Sequence, residues 1–244
     1  MTQARGWRLA IHDELASTQD VVLAAAQQGE PEGLAVLARR QSAGRGTQGR
    51  PWTSPDGNLF LSMLLRPEGP ARDLPQYGLL AGVALADAAA AILPPGADLR
   101  LKWPNDLLLG GAKCAGILSQ GSIDAQGGME WVAFGIGVNL ALAPALPDRP
   151  TASFADTGIT PPEPEAFAHL LLDAITRWRG LGLAAVRAAW VARGPELDAP
   201  MRLRQGDTLR EGRFAGLDED GRLLLATSTG VVPVSAGELL PAVS

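Results

Sequence analysis

Apolar positions along the chain fall into short blocks that switch between helical and strand spacing. Residues 21–26 (VVLAAA), preceded by Ser17, Thr18, Gln19 and Asp20, predict a helix with an N-cap and an acidic first turn, running to about Gln28 and stopped by Gly29. His12 sits in a strand-like entry before it, and residues 33–39 (GLAVLAR) have strand length. Residues 41–57 are Gly-rich and broken by Pro51 and Pro55, the composition of a loop. Residues 58–65 (NLFLSMLL) predict a buried strand and residues 74–93 a long Ala-rich helix. From residue 99 strands follow one another: 107–109 and 113–120 flank Gly110–Gly111, a hairpin signal, and 129–138 pairs next. A Pro-rich loop over 141–164 leads to helices at about 165–179 and 184–192. Beyond Met201 the runs are short and alternating, with turn signals at Asp220–Gly221 and Thr229–Gly230. The fold class predicted is α+β: a mixed central β-sheet flanked by helices over residues 1–196, then a C-terminal small β-barrel domain over 197–244.

Composition narrows the function. A chain of 244 residues that is 46% hydrophobic and 19% charged can bury a core, which excludes wholesale disorder. Its longest apolar stretches are broken by Gly82 and Asp87, short of a membrane span, and residues 1–14 lack a secretory signal. The single Cys114 offers neither an internal disulfide nor a metal cluster, as expected of a reducing cytoplasmic setting. The net charge of −5 argues against nucleic acid as a partner.

Positive charge is carried almost wholly by arginine. Lys102 and Lys113 are the only lysines, and Asn58, Asn105 and Asn139 the only asparagines. In a chain with this bias, typical of GC-rich coding, Lys102, Asn105 and Lys113 cluster in LKWPNDLLLGGAK. Lysine is a compact point charge and is not interchangeable with arginine against a phosphate or carboxylate. Two neighbouring surface lysines are the plainer alternative.

Gly44-Arg45-Gly46-Thr47-Gln48-Gly49 matches the dinucleotide fingerprint in letters only, because Arg50-Pro51-Trp52 cannot open the helix that fingerprint requires. A Gly/Arg loop closing over a phosphate-bearing ligand and a solvated surface loop both remain open here. Gly135 and Gly137 within a strand mark close approach by a ligand or another backbone, with Asn139 at the strand tip. Capping alone accounts for Ser17 and Thr18, and His12 and His169 read as structural.

Taken together, Ser17-Thr18-Gln19, the QSAGRG run from Gln41, Trp52, NLFLS from Asn58, KWPND from Lys102, KCAGIL from Lys113 and GIGVN from Gly135 resemble the biotin–protein ligases, in that family's order and spacing. The C-terminal segment is similar to the family's second domain. The resemblance implies ATP-dependent activation of biotin to biotinyl-5′-AMP with Mg, then transfer to a lysine of a biotin carboxyl carrier protein or carrier domain, such as that of acetyl-CoA carboxylase. It implies catalytic roles for Lys113 and Arg45, and biotin contacts from Ser17, Thr18, Gln19, Gln41, Arg45, Gly46, Thr47, Trp52, Lys113 and Gly116. ATP contacts fall to Arg50, Lys102, Asn105 and Asn139; the metal ligands are not identified. The alternatives are a lipoate–protein ligase of the same fold and a non-catalytic biotin binder.

Three departures stand out. Thr47 occupies a position where many members carry a second arginine, and Gln48 adds no charge. Gln120 stands where an acidic residue is common. About sixteen residues precede Ser17, too few for the helix-turn-helix domain of members that act as repressors, so operator binding is not expected. Such relatives occur as monomers and as homodimers, and both states stay open.

Overall fold

The computed structural model describes residues 6–147 and 149–240; the first five residues of the segment read for a signal, and the last four of the 197–244 stretch, lie outside it. A seven-stranded mixed sheet forms the centre, built from β1 (Arg8–Leu15), β2 (Leu34–Gln41), β3 (Leu59–Leu65), β4 (Leu99–Lys102), β5 (Asp106–Leu109), β6 (Ala112–Ile123) and β7 (Met129–Val138). Their order is β1-β2-β3-β7-β6-β5-β4; the β1–β2 pair is parallel, joined through helix α1 (Thr18–Gln27), and the other pairs are antiparallel.

The two faces of β7 show how the sheet divides its work. Val132, Phe134, Ile136 and Val138 point into the main core, where α2 (Leu74–Ala90) and α3 (Pro164–Leu181) pack on the sheet. On the opposite face run Trp131, Ala133, Gly135 and Gly137. α1 covers the first two through Val22 and Ala26. The two glycines carry no side chain, so a cavity opens over them beside the N-terminus of α1.

After α4 (Leu183–Arg193) comes a second sheet: β8 (Pro200–Gln205), β9 (Thr208–Leu217), β10 (Leu223–Thr227), β11 (Gly230–Val234) and β12 (Glu238–Leu240). Its order is β11-β10-β9-β8-β12, antiparallel throughout. The edge strands β11 and β12 do not pair with each other, so the unit is barrel-like without closing. Met201, Leu203, Phe214, Leu223, Leu225, Val234 and Leu239 join the same buried cluster as the large sheet. Trp190 of α4 meets Phe214 at 6.3 Å between ring centroids. Asp87 of α2 accepts from Trp178 Nε1 and Arg177 of α3, and from Arg193 of α4, tying the three helices together. No helix among the described residues is long and apolar enough to cross a membrane.

Candidate active site

The cavity over the glycine face measures about 460 Å³, within the range of small-molecule sites. One end is polar and uncharged, at the β1–α1 junction. Ser17 takes the N-cap position, but its side chain makes no cap bond. Gln41 of β2 does that work: its Oε1 accepts from the Thr18 backbone N–H at 2.9 Å and from Thr18 Oγ1 at 3.2 Å. Thr18 Oγ1 also meets Ser62 Oγ of β3 at 2.8 Å. Capping by Ser17 therefore does not account for this pair, and both residues line the cavity. Gln19 Nε2 donates to Gln120 Oε1 at 3.1 Å, a bond that an acidic residue at position 120 could equally accept.

The middle is closed by Trp52. Residues 44–52 form a tight turn in which Trp52 N–H donates to Gly44 O and Gly46 N–H to Arg50 O, both at 2.8 Å. The turn lays the indole on β6 and β7: a Cβ on Gly137 would stand 2.5 Å from Trp52 Cε2, and one on Gly116 3.0 Å from Cζ3. A Cβ on Gly135 would stand 2.8 Å from Gln19 Oε1. The close approach that the strand glycines allow is thus made by an indole and a carboxamide. Trp52 Nε1 and Gln19 Oε1 are both buried without a hydrogen-bond partner. Orphaned polar atoms are rare in native proteins and mark places a ligand can satisfy.

The far end is charged. The Gly110–Gly111 turn, with φ of 57° and 80°, joins β5 to β6 and brings Lys113 Nζ to 2.5 Å from Asp106 Oδ1 and 5.5 Å from the Trp52 ring. Lys102, at the end of β4, lines the same region. Burial pulls its ammonium below the ordinary lysine value; Asp106 and Glu238 oppose this shift, while Arg149 and Lys113 reinforce it. Asn105 lines the wall, and its Nδ2 donates to Ile117 O at 2.8 Å. Arg50 pairs with Glu238 at 3.3 Å, whereas Arg45 turns to the α1 side, where it pairs with Asp20 of the helix's first turn. Thr47 lines the cavity mouth within a 3₁₀ turn (Thr47–Gly49).

Asn139 stands apart from the other expected residues. It is buried and does not line the cavity; its Nδ2 donates to Ala152 O at 3.1 Å, and its Oδ1 is buried without a hydrogen-bond partner. His12 and His169 also lie away from the lining residues. Burial pushes the Cys114 thiol up to about 12, the environment of an inert cysteine. Sequence reasoning missed Ser62, Asp106, Arg149 and Glu238. Ser62 was legible as the one polar side chain within an apolar strand, and Asp106 as the last letter of KWPND; Arg149 and Glu238 carry no local signal.

A single cavity thus joins an uncharged hydrogen-bonding end, an aromatic middle and a cationic end. The chain matches the biotin/lipoate A/B protein ligase family over residues 13–139 and the biotin protein ligase C-terminal domain over residues 200–239. It belongs to the biotin protein ligases. A biotin–[acetyl-CoA-carboxylase] ligase of Paracoccus denitrificans is 41% identical, over 84% of this chain and 88% of that protein. Another of the same description from Mycobacterium tuberculosis is 32% identical over 96% and 90%. Among solved structures, a biotin protein ligase from Aquifex aeolicus in complex with biotin and ATP superposes with a TM-score of 0.76 at 24% identity, covering 96% of this chain and 97% of that one, which shows the shared fold. In this biotin protein ligase every expected site residue except Asn139 lines the cavity.

Proposed function

We propose that the chain activates biotin with ATP and transfers the biotinyl group to one lysine of a carrier domain of a biotin-dependent carboxylase, in the cytoplasm. The observation that carries this reading is the position of Lys113, at the charged end but with its Nζ 5.5 Å from the Trp52 ring that closes the middle of the same cavity. The biotin ring would satisfy the uncharged end, through Ser17, Thr18, Gln19 and Gln41, with Gly46, Gly116 and Trp52 enclosing it. Its carboxylate would then reach Lys113 and Arg45. One carboxylate oxygen attacks the α-phosphorus, the bond to the pyrophosphate oxygen breaks, and a mixed anhydride remains. Lys113 supplies a point charge where negative charge shifts between these oxygens, a site at which fixed cations act most strongly. In the second step the carrier's neutral lysine amine attacks the acyl carbon, the carbon–oxygen bond breaks, and AMP departs.

Arg50, Lys102 and Asn105 face the nucleotide, and Asn139 buttresses the strand tip beside it. Among the described residues no group of three or more His, Cys, Asp or Glu side chains converges on a point. With Asp106 as the carboxylate beside Lys113, the donor set fits a Mg²⁺ that arrives on the nucleotide's own phosphates. When bound it would neutralise phosphate charge. The division into a catalytic unit over 1–196 and a C-terminal unit over 197–244 belongs to the same proposal. The test is biotin-dependent exchange of pyrophosphate into ATP. Exchange with biotin and none with lipoate supports the reading; exchange with lipoate alone, or with neither acid, overturns it.

A further inference from the structure

Resting on that reading, one contact reaches into the cavity from the second sheet. β12 begins at Glu238, and the preceding Gly237 has φ of 156°, where a Cβ would stand 3.0 Å from Arg204 O. Glycine at 237 lets the chain pass close over β8, so that Ser235 to Leu239 line the cationic end of the cavity. A single oxygen, Glu238 Oε1, there meets Arg50 Nη1 and Nη2 at 3.3 Å each and Arg149 Nη2 at 3.4 Å.

These contacts are long. Charge-assisted N–H···O bonds settle near 2.7–2.9 Å, and one carboxylate oxygen has two lone pairs for three donors. Arg50 Nη2 also donates to Gln48 Oε1 at 3.2 Å, so Glu238 shares this fork with a neutral acceptor and holds both guanidiniums only through long contacts that a stronger anion can replace. A polyphosphate presents several anionic oxygens at the spacing such forks take in pairs. Lys102 lies within electrostatic reach of both Arg149 and Glu238, which adds a third cation.

We propose that Arg50 and Arg149 are the seat of the pyrophosphate end of the nucleotide, and that Glu238 occupies this seat in the unliganded chain as an internal anion displaced by pyrophosphate. The seat draws on three separate stretches: the Gly/Arg loop with Arg50, Arg149 ahead of Pro150, and the C-terminal sheet with Glu238. Arriving triphosphate must displace Glu238, and the returning carboxylate competes with product pyrophosphate and speeds its release.

The test is calorimetric titration of the full chain with inorganic pyrophosphate and, separately, with AMP, which lacks the β- and γ-phosphoryl groups. Removing the competitor in Glu238→Gln should tighten pyrophosphate binding by about fivefold or more and leave AMP within about twofold. Arg149→Gln should weaken pyrophosphate, and in that background Glu238→Gln should gain less than about twofold, because the two act on one seat. Glu238→Asp keeps the charge but shortens the reach, and should also tighten pyrophosphate binding; it serves if the Gln variant fails to fold. Wild-type or weaker pyrophosphate affinity in the folded Glu238 variants, an equal gain for AMP, or an undiminished gain in the Arg149→Gln background would overturn the proposal. Biotin-dependent exchange is read separately on the unaltered chain, so the ligase reading and the seat fail independently.

Discussion

Gly137→Ala puts the packing of the pocket wall to a direct test. The added Cβ would lie 2.5 Å from Trp52 Cε2, 2.6 Å from Nε1 and 2.7 Å from Cζ2. Relaxed non-bonded carbon contacts lie near 3.5–4.0 Å, so the indole must withdraw by about 1 Å. The strand cannot yield, because Gly137 is paired with Phe60 on one side and Gly116 on the other. Trp52 is half-buried on a loop and can move. Forcing a methyl into packed space costs ~1–3 kcal/mol, but an indole that swings outward spares the fold most of that cost. It then falls on the ligand, whose wall has shifted. Biotin affinity should drop by about tenfold, or ~1.4 kcal/mol, while the thermal midpoint changes little. Calorimetric titration with biotin measures the first and a thermal melt the second. In a Trp52→Ala background the same Gly137→Ala change should cost little more, since its clash partner is gone. Wild-type biotin affinity in Gly137→Ala, or an equal loss in both backgrounds, would refute the reasoning.

Lys113→Ala should leave biotin binding largely intact and nearly abolish adenylate formation, and Lys113→Arg should also be poor; near-normal pyrophosphate release by Lys113→Ala would remove it from the proposed role. Thr47→Arg places a guanidinium at the cavity mouth and should slow dissociation of biotinyl-adenylate by ~1–3 kcal/mol of added retention; equal dissociation rates in variant and wild type count against a phosphate facing this turn. Glu32 accepts from Arg179 at 2.9 Å, and that bond, against the opposing effect of burial and with help from the Arg66 N–H, holds its carboxyl below the ordinary 4.5. Its stabilisation is therefore present above the ordinary value and lost as pH falls through the depressed one. Being largely exposed, the pair is worth up to ~1 kcal/mol. Glu32→Gln should melt earlier at neutral pH, with the gap closing in acid; a gap that persists there would show packing rather than charge.

What could be read from the sequence depended on how local each signal was. Gly110–Gly111 announced the β5–β6 hairpin because two successive positive-φ residues make the turn that matches strand twist. The lysines stood out because arginine is the rule elsewhere. β1 was harder: the edge strand RLAIHDEL, with every side chain exposed or half-buried, shows no clean two-residue period. The N-cap position was legible but not its bond, because the acceptor for Thr18 is Gln41, twenty-three residues away on another strand. Short alternating runs look alike in a closed barrel and an open sheet; closure depends on whether β11 meets β12, a pairing no short window encodes. Glu238 and Arg50 are 188 residues apart, and only the docking of two sheets brings them together.

That docking has a thermodynamic consequence. Both sheets share one buried cluster, and Trp190 sits at their junction, so neither can melt without exposing the flank of the other. Unfolding should then be a single cooperative transition, and occupancy at either end of the cavity should register as resistance of the whole chain. By linkage, a ligand held among the cations of the far end makes global unfolding rarer, and so protects the strands at the uncharged end without touching them. The shared core makes the two halves of the cavity one cooperative unit.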